Sequence, residues 1–367
     1  MRFQDEPPFH HGSAGKTAVL LVNLGTPQAP TASALRRYLA EFLSDPRVVE
    51  IPRLVWKPLL HGIILRVRPA RSAAKYASIW TPQGSPLAHW TRRQAELLGQ
   101  AMQERGLDVA VGHAMRYGQP SVASVLDDFK AAGVKRILVL PLYPQYAAAT
   151  TASALDAVMS WSARQRLLPE WRFVNRYHDD PGYISGLAAR VLDYWAKHGR
   201  GERLVLSFHG VPERSLLMGD PYHCECHKTA RLLREALGLE ESEVLVTFQS
   251  RFGKAKWLEP YTEPTLIELA RRKVGRVDVM CPGFTSDCLE TLEEIAQEAR
   301  AAFLDAGGSE FHYIPCLNDE PAWIEALCGI ALQHLQGWPI APPSDAQAHQ
   351  QSLACQRQRA LALGAKD

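Results

Sequence analysis

The chain reads as an α/β protein built from two similar doubly wound units, each a four-stranded parallel sheet with helices on both faces. Three observations carry that expectation. Apolar, β-branched-rich runs recur along the chain, each stopping at Gly, Pro or a polar residue. Helical patterns alternate with them, and the second half echoes the first.

The apolar runs are TAVLLVNLG (17–25), VAVGHAMRYG (109–118), VKRILVLPLYP (134–144), WRFVNRY (171–177), ERLVLSFHG (202–210), SEVLVTFQS (242–250), GRVDVMCPG (275–283) and EFHYIP (310–315). Several are continuously apolar, which suits strands buried on both faces. Segments such as PSVASVLDDFKAAG, SGLAARVLDYWAKHG and EPTLIELARRKVG lie between them, with Pro, Ser or Thr near the start and Gly at the end, the punctuation of helices. VLPLYPQYAAATTASALDAV, after the third strand, is echoed by VMCPGFTSDCLETLEEIAQEA after the seventh. The units therefore meet near residue 180, giving 17–180 and 181–338, an extension 1–16 and a tail 339–367 of weak periodicity and no assigned chemistry. Residues 51–80, apolar, aromatic and basic, break the alternation and read as helical pieces forming a lip over the crevice.

Composition excludes several classes. Of 367 residues, 41 are Lys or Arg and 39 Asp or Glu, and no long basic run offers a nucleic-acid footprint. The seven cysteines all lie in the second half at irregular spacing, unlike a secreted disulfide framework, and the first 16 residues lack an apolar signal core, so a cytoplasmic protein is expected. No G-x-S-x-G, G-x-G-x-x-G or Walker pattern follows a strand.

Ligands of open α/β sheets bind beyond the carboxyl ends of strands, and His209 closes the run LVLSFH. Imidazole there can move protons, coordinate a metal or merely satisfy backbone at a strand end. After another strand, Asp287, Glu290, Glu294 and Glu298 share one arc of a helix, with Leu289, Leu292, Ala296 and Ala299 opposite. Such a row is either a solvent-facing set of acids or a track for hard cations or protons. HCECH (223–227) offers thiolate and imidazole but lacks C-x-x-C spacing and a second ligand pair.

The motifs VNLGTP (22–27), LPLYPQY (140–146), SFHGVPERSLLMGDPY (207–222), TFQSRFGKAKWLEPYT (247–262) and CPGFTSDCLETLEEI (281–295) together resemble ferrochelatases of the bacterial type, in register over 17–335. The resemblance implies two Rossmann-like domains with the active-site cleft between them, and insertion of ferrous iron into protoporphyrin IX, the last step of protohaem synthesis. It also implies site residues. His209 and Glu290 serve as proton acceptor and opposing carboxylate, either or both binding the incoming metal. Glu294 and Glu298 serve metal delivery or proton exit, with Asp287 orienting a neighbour. Leu24, Tyr76, Trp257 and Phe284 form porphyrin walls, Trp257 being equally readable as core, and Arg68, Ser85 and Arg116 hold the propionates.

The chain departs from animal relatives at Cys288, where they carry histidine, and in a tail holding Cys355 alone. No tightly bound cofactor and no [2Fe-2S] cluster are therefore expected, iron being a substrate. The lip would place Leu54, Trp56, Leu59, Leu60, Ile63 and Ile64 against a membrane surface, or fold as a flap over the cleft. Two other functions fit the same pattern: a cobalt or nickel chelatase of another tetrapyrrole, and a non-catalytic haem- or porphyrin-binding protein.

Overall fold

The computed structural model describes residues 3–8, 10–253 and 255–366. Eight strands form two all-parallel sheets. The first contains β1 (Lys16–Gly25), β2 (Val109–Tyr117), β3 (Val134–Pro141) and β4 (Glu170–Phe173), in the order β2-β1-β3-β4. The second contains β5 (Arg203–His209), β6 (Val244–Gln249), β7 (Arg276–Met280) and β8 (Glu310–Ile314), in the order β6-β5-β7-β8. Both orders are one permutation, so the expected α/β class and its internal repeat are present in the topology. The central strands have nowhere to expose a side chain: Ala18 through Val22 of β1 are all 0% exposed.

The repeat extends to the strand ends. Met115 N donates to Pro120 O at 2.7 Å and Phe248 N donates to Pro260 O at 2.8 Å, so the chain folds back onto β2 and β6 in the same manner. Gly25, at φ +110°, lies so close to Tyr117 that a Cβ would sit 1.8 Å from its carbonyl oxygen. A Cβ on Gly210 would sit 2.8 Å from Gln249 O. Each glycine lets the chain leave its strand tightly beside the neighbouring one.

Division near residue 180 separates the sheets but not their cores. One apolar cluster contains Leu21 and Leu140 of the first sheet, Leu206 and Met280 of the second, and Trp323 between them. Trp323 belongs to the helix Pro321–Leu335, which packs against Pro86–Glu104 of the first half and Pro181–His198 of the second.

The lip is helical, as expected: Arg53–Leu59, a π turn Leu60–Ile64, then Leu65–Ile79. The π turn begins two residues after Pro58, where the ladder already lacks a donor. Its apolar face corrects the sequence reading. Trp56 is buried, donating its indole N–H to Leu43 O at 2.6 Å, Leu60 is fully buried and Ile64 is half-buried. The tail is also more regular than expected, since Ala346–Ala362 forms a helix capped by Asp345, with no buried residue. Its Ala, Gln, Leu and Arg content favours helix without supplying a stripe to bury.

Candidate active site

His209 is the last residue of β5, paired in register with Gln249 of β6, and is half-buried. Its Nδ1 lies 2.6 Å from Gly210 O. A carbonyl only accepts, so Nδ1 carries the hydrogen and the neutral ring keeps its lone pair on Nε2. The Phe284 ring is 6.5 Å away, centroid to centroid. Trp257 packs behind, within 3.2 Å of where a Gly210 Cβ would stand, and its buried indole N–H has no partner among the described residues.

The acids sit on a helix of unexpected kind. Glu290–Ala299 is π-helical before the chain resumes α-helix at Arg300–Asp305. Five residues on an α-helix turn through about 140° beyond a full circle, whereas i→i+5 bonding brings residues five apart onto neighbouring positions. Glu293 and Glu298 consequently share one partner, Lys75 of the lip, at 2.9 and 2.8 Å. The inward apolar face is Ile295 and Ala299, with Leu292 and Ala296 only half-buried, which corrects the α-helical reading.

Glu294 is held from below. Ser250 N donates to its Oε1 at 2.6 Å and Ser250 Oγ to its Oε2 at 2.5 Å. Ser250 adopts φ 66°, a left-handed conformation uncommon outside glycine, and thereby aims both donors at one carboxylate. Burial raises the Glu294 pKa above the ordinary glutamate range; the Ser250 donors and His209 oppose the rise and Glu290 adds to it. Gln249 links the strand ends to this helix, donating Nε2 to Glu290 O at 2.7 Å while its Oε1 accepts from Ser207 Oγ at 2.7 Å. Sequence reasoning missed Ser250, Gln249 and Lys75. Gln249 ends the strand beside His209 and Ser250 follows it, so both could have been found from that position.

The remaining expected residues divide. Leu24, Leu289 and Tyr76 join one apolar cluster at the lip, and burial, then Glu290, pushes the Tyr76 phenol well above its usual pKa. Asp287 is buried just before the helix: Asn318 Nδ2, Tyr313 OH and Thr291 Oγ1 all donate to its carboxylate, and Asn318 Oδ1 accepts its N–H. It fixes the start of the acidic helix rather than extending the row. Arg116 is bound to Asp45 and to Ser153, over the Tyr117 ring, so its charge is already matched. Arg68 differs. Its guanidinium lies over Phe252 at 4.9 Å, burial lowers its pKa, and it forms no ion pair among the described residues. Ser85 Oγ accepts from Thr26 Oγ1 at 2.8 Å and retains its own hydrogen to donate.

HCECH does not converge. It lies on the helix Tyr222–Ala236, with the His223 and His227 rings 4.4 Å apart and tilted by 48°, Cys226 buried and Cys224 exposed. No group of three or more His, Cys, Asp or Glu side chains suited to a metal occurs among the described residues. Burial first, then Glu290 and Cys316, pushes the Cys288 thiol well above its ordinary pKa.

A half-buried imidazole at a strand end, a helix of partly buried carboxylates near it and an apolar cluster at the lip mark a candidate site for proton or metal chemistry in an α/β protein. The comparisons agree. The family model described as Ferrochelatase matches residues 16–335. A ferrochelatase of Methylibium petroleiphilum is 68% identical over 100% of both chains, and one of Polaromonas sp. is 64% identical over 100% of both. A solved multi-domain protein of Deinococcus radiodurans, described as similar to chelatases, shares the fold with a TM-score of 0.53 at 16% identity, covering 94% of this chain and 60% of that one.

The chain belongs to the ferrochelatase family. It is a lyase that inserts ferrous iron into protoporphyrin in haem synthesis, and neither the cobalt or nickel chelatase nor the non-catalytic carrier is favoured.

Proposed function

We propose that His209 Nε2 accepts a pyrrole proton while Glu290 faces the same macrocycle and accepts the second, so that two N–H bonds are exchanged for bonds to one ferrous ion. The observation that carries this is geometric: Gln249, paired in register with His209, donates to Glu290 O, and the next residue, Ser250, holds Glu294 with two hydrogen bonds. Glu294 is then the next station for a proton or an incoming cation, and Asp287 acts only by holding the helix. Leu24, Tyr76, Trp257 and Phe284 wall the ring, and Arg68 with Ser85 receives the propionates. An anaerobic assay offering protoporphyrin IX or coproporphyrin III with ferrous iron, read by loss of porphyrin fluorescence, tests this. Wild-type turnover with at least a hundredfold loss in Glu290→Gln supports the assignment, and a loss below tenfold overturns it.

No iron-sulfur cluster is assigned. Cys355 is exposed on the tail helix, whereas Cys226, Cys281, Cys288, Cys316 and Cys328 are buried. Acid-labile sulfide in stoichiometric amount in the purified protein would reverse that assignment.

In the same reading the protein works in the cytoplasm and touches a membrane surface through the lip. Among the described residues no helix is long and apolar enough to cross a membrane. Support comes from Leu54 at 92%, Val55 at 64%, Ile63 at 59% and Val67 at 56% exposure, flanked by exposed Arg53, Lys57, Arg66 and Arg71. Leu54→Ser with Ile63→Ser should reduce co-sedimentation with anionic vesicles without changing turnover of detergent-dispersed porphyrin. Equal loss in detergent would make the lip a cleft wall alone.

A further inference from the structure

The helix Pro86–Glu104 carries two fully buried polar side chains three residues apart, Thr91 and Gln94, and each engages a different half of the molecule. Thr91 Oγ1 accepts from Asn23 Nδ2 at 2.9 Å, and Asn23 Oδ1 accepts from Leu24 N at 2.8 Å, so this helix steadies the end of β1. Gln94 reaches the second half. Its Nε2 donates to Thr285 O at 2.9 Å, to Asn318 O at 2.8 Å and to Ser286 Oγ at 3.1 Å. Two of these acceptors are carbonyls, which only accept, so the nitrogen end of the amide is fixed. Its Oε1 is buried with no partner among the described residues. An unpaired buried acceptor is a cost that an apolar side chain of equal length would not carry, and the three donated bonds are what offsets it.

What Gln94 grips is a junction. Asn318 adopts φ 46°, the left-handed region that asparagine tolerates better than most residues, and every polar group it has is engaged. Its N–H donates to Thr285 O at 2.9 Å, its carbonyl receives Gln94, its Oδ1 accepts from Asp287 N at 2.9 Å and its Nδ2 donates to Asp287 Oδ2 at 2.7 Å. Asp287 stands three residues before Glu290. One amide from the first half therefore ends, through two shared residues, at the start of the acidic helix. We infer that Gln94 is a positioning residue for metallation: it sets the acidic helix, and Glu290 with it, against the strand end that carries Leu24, and it acts on the rate only through that placement. The inference rests on Glu290 as the opposing carboxylate of the proposed function.

Amide hydrogen exchange and steady-state turnover of Q94M, E290Q and Q94M/E290Q test it. In Q94M, exchange at residues 287–292 should quicken about tenfold while that of β5 stays as in the wild type. The kcat should fall about tenfold or more, with the KM for porphyrin within about threefold of the wild type, the split expected when a reacting group is misplaced and the walls are not. A smaller loss of kcat, or one confined to KM, overturns the inference, as does exchange that quickens equally in β5, which marks a general loss of stability. Added to E290Q, Q94M should cost less than about threefold further, because its effect runs through the same carboxylate; a full second loss overturns that route. Should Q94M not fold, Q94E decides. Its carboxyl can donate once while protonated and repels the carbonyls once ionised, so the ratio of its kcat to that of the wild type should fall as pH rises, and a flat ratio overturns the tie. Exchange needs no turnover, so an E290Q enzyme that kept its rate would refute Glu290 in the proposed function, while faster exchange in Q94M would still support the hold of Gln94 on the helix.

Discussion

The first strands of the two halves end on the same phrase with two of four residues changed. β1 closes with Leu24-Gly25-Thr26-Pro27 and β5 with His209-Gly210-Val211-Pro212. In both, the glycine passes too close to the neighbouring strand end for a side chain. Beyond the third strand of each half lies a π-helical stretch, Ala148–Ala152 in one and Glu290–Ala299 in the other. The backbone device is repeated and the chemistry is not. In the first half the strand end offers a leucine, the π turn is built from alanine and threonine, and the nearby charge of Arg116 is matched by buried Asp45. In the second half the same places hold an imidazole and a run of acids. The fold supplies position twice, and in the proposed function residue type makes one half a wall and the other a catalyst.

The comparison breaks most sharply at its first changed residue, Leu24 against His209. His209→Ala should lower the metallation rate at least a hundredfold, the usual contribution of a positioned proton acceptor, while Leu24→Ala should chiefly raise the KM for porphyrin by about tenfold or less through lost apolar contact. Single-turnover fluorescence with binding measured separately distinguishes the two, and similar rate losses would dissolve the contrast between wall and catalyst.

A smaller effect separates the charges. Arg116→Met should destabilise the protein by about 3 kcal/mol, because it strands the buried Asp45 carboxylate, with porphyrin KM little changed; Arg68→Met should raise that KM and leave the urea midpoint nearly unmoved. Burial alone would raise the Asp45 pKa, but Ser153, the Arg47 backbone, Tyr117 and Arg116 together hold it below the ordinary aspartate value. Its stabilisation is therefore present above the unfolded carboxylate pKa and is lost as pH falls through the depressed one. In Arg116→Met the acid side of the stability profile should flatten.

The smallest effect lies in a pH profile. The Glu294 pKa is raised, so its proton-accepting form appears only at higher pH than for an ordinary glutamate. Ser250→Ala removes one donor to the carboxylate and so favours the protonated form further. The acid limb of kcat/KM should move to higher pH in this variant, with the plateau less affected; a shift to lower pH, or none, would detach Glu294 from the proton path.

Strand and helix alternation, the repeat and the place of His209 were all legible, because parallel strands buried on both faces write continuous apolar runs and sites gather at their carboxyl ends. The acidic helix was legible as acidic but not as π-helical. Nothing in ETLEEIAQEA announces i→i+5 bonding, so Glu293 was passed over and Asp287 was placed in a row it only anchors. Lys75 was hidden by sequence distance, lying 218 residues before Glu293. The lip's outer face was misread because Trp56, an apparent membrane anchor, finds a backbone acceptor at Leu43 and turns inward. Arg116 and Arg68 looked alike as letters; only the buried carboxylate beside one of them tells them apart.

The apolar cluster that runs through both sheets has a mechanical consequence. With Trp323 wedged among Tyr177 and Tyr183, and the helix that carries it clamped to both halves, the lobes have no seam along which to hinge. Calorimetry should then record one cooperative melting transition rather than two, and fragments severed near residue 180 should each leave half an interior bare and fail to fold apart. Whatever opens to admit a rigid disc of substrate must therefore be peripheral and light, a shutter moving on a frame that stays still.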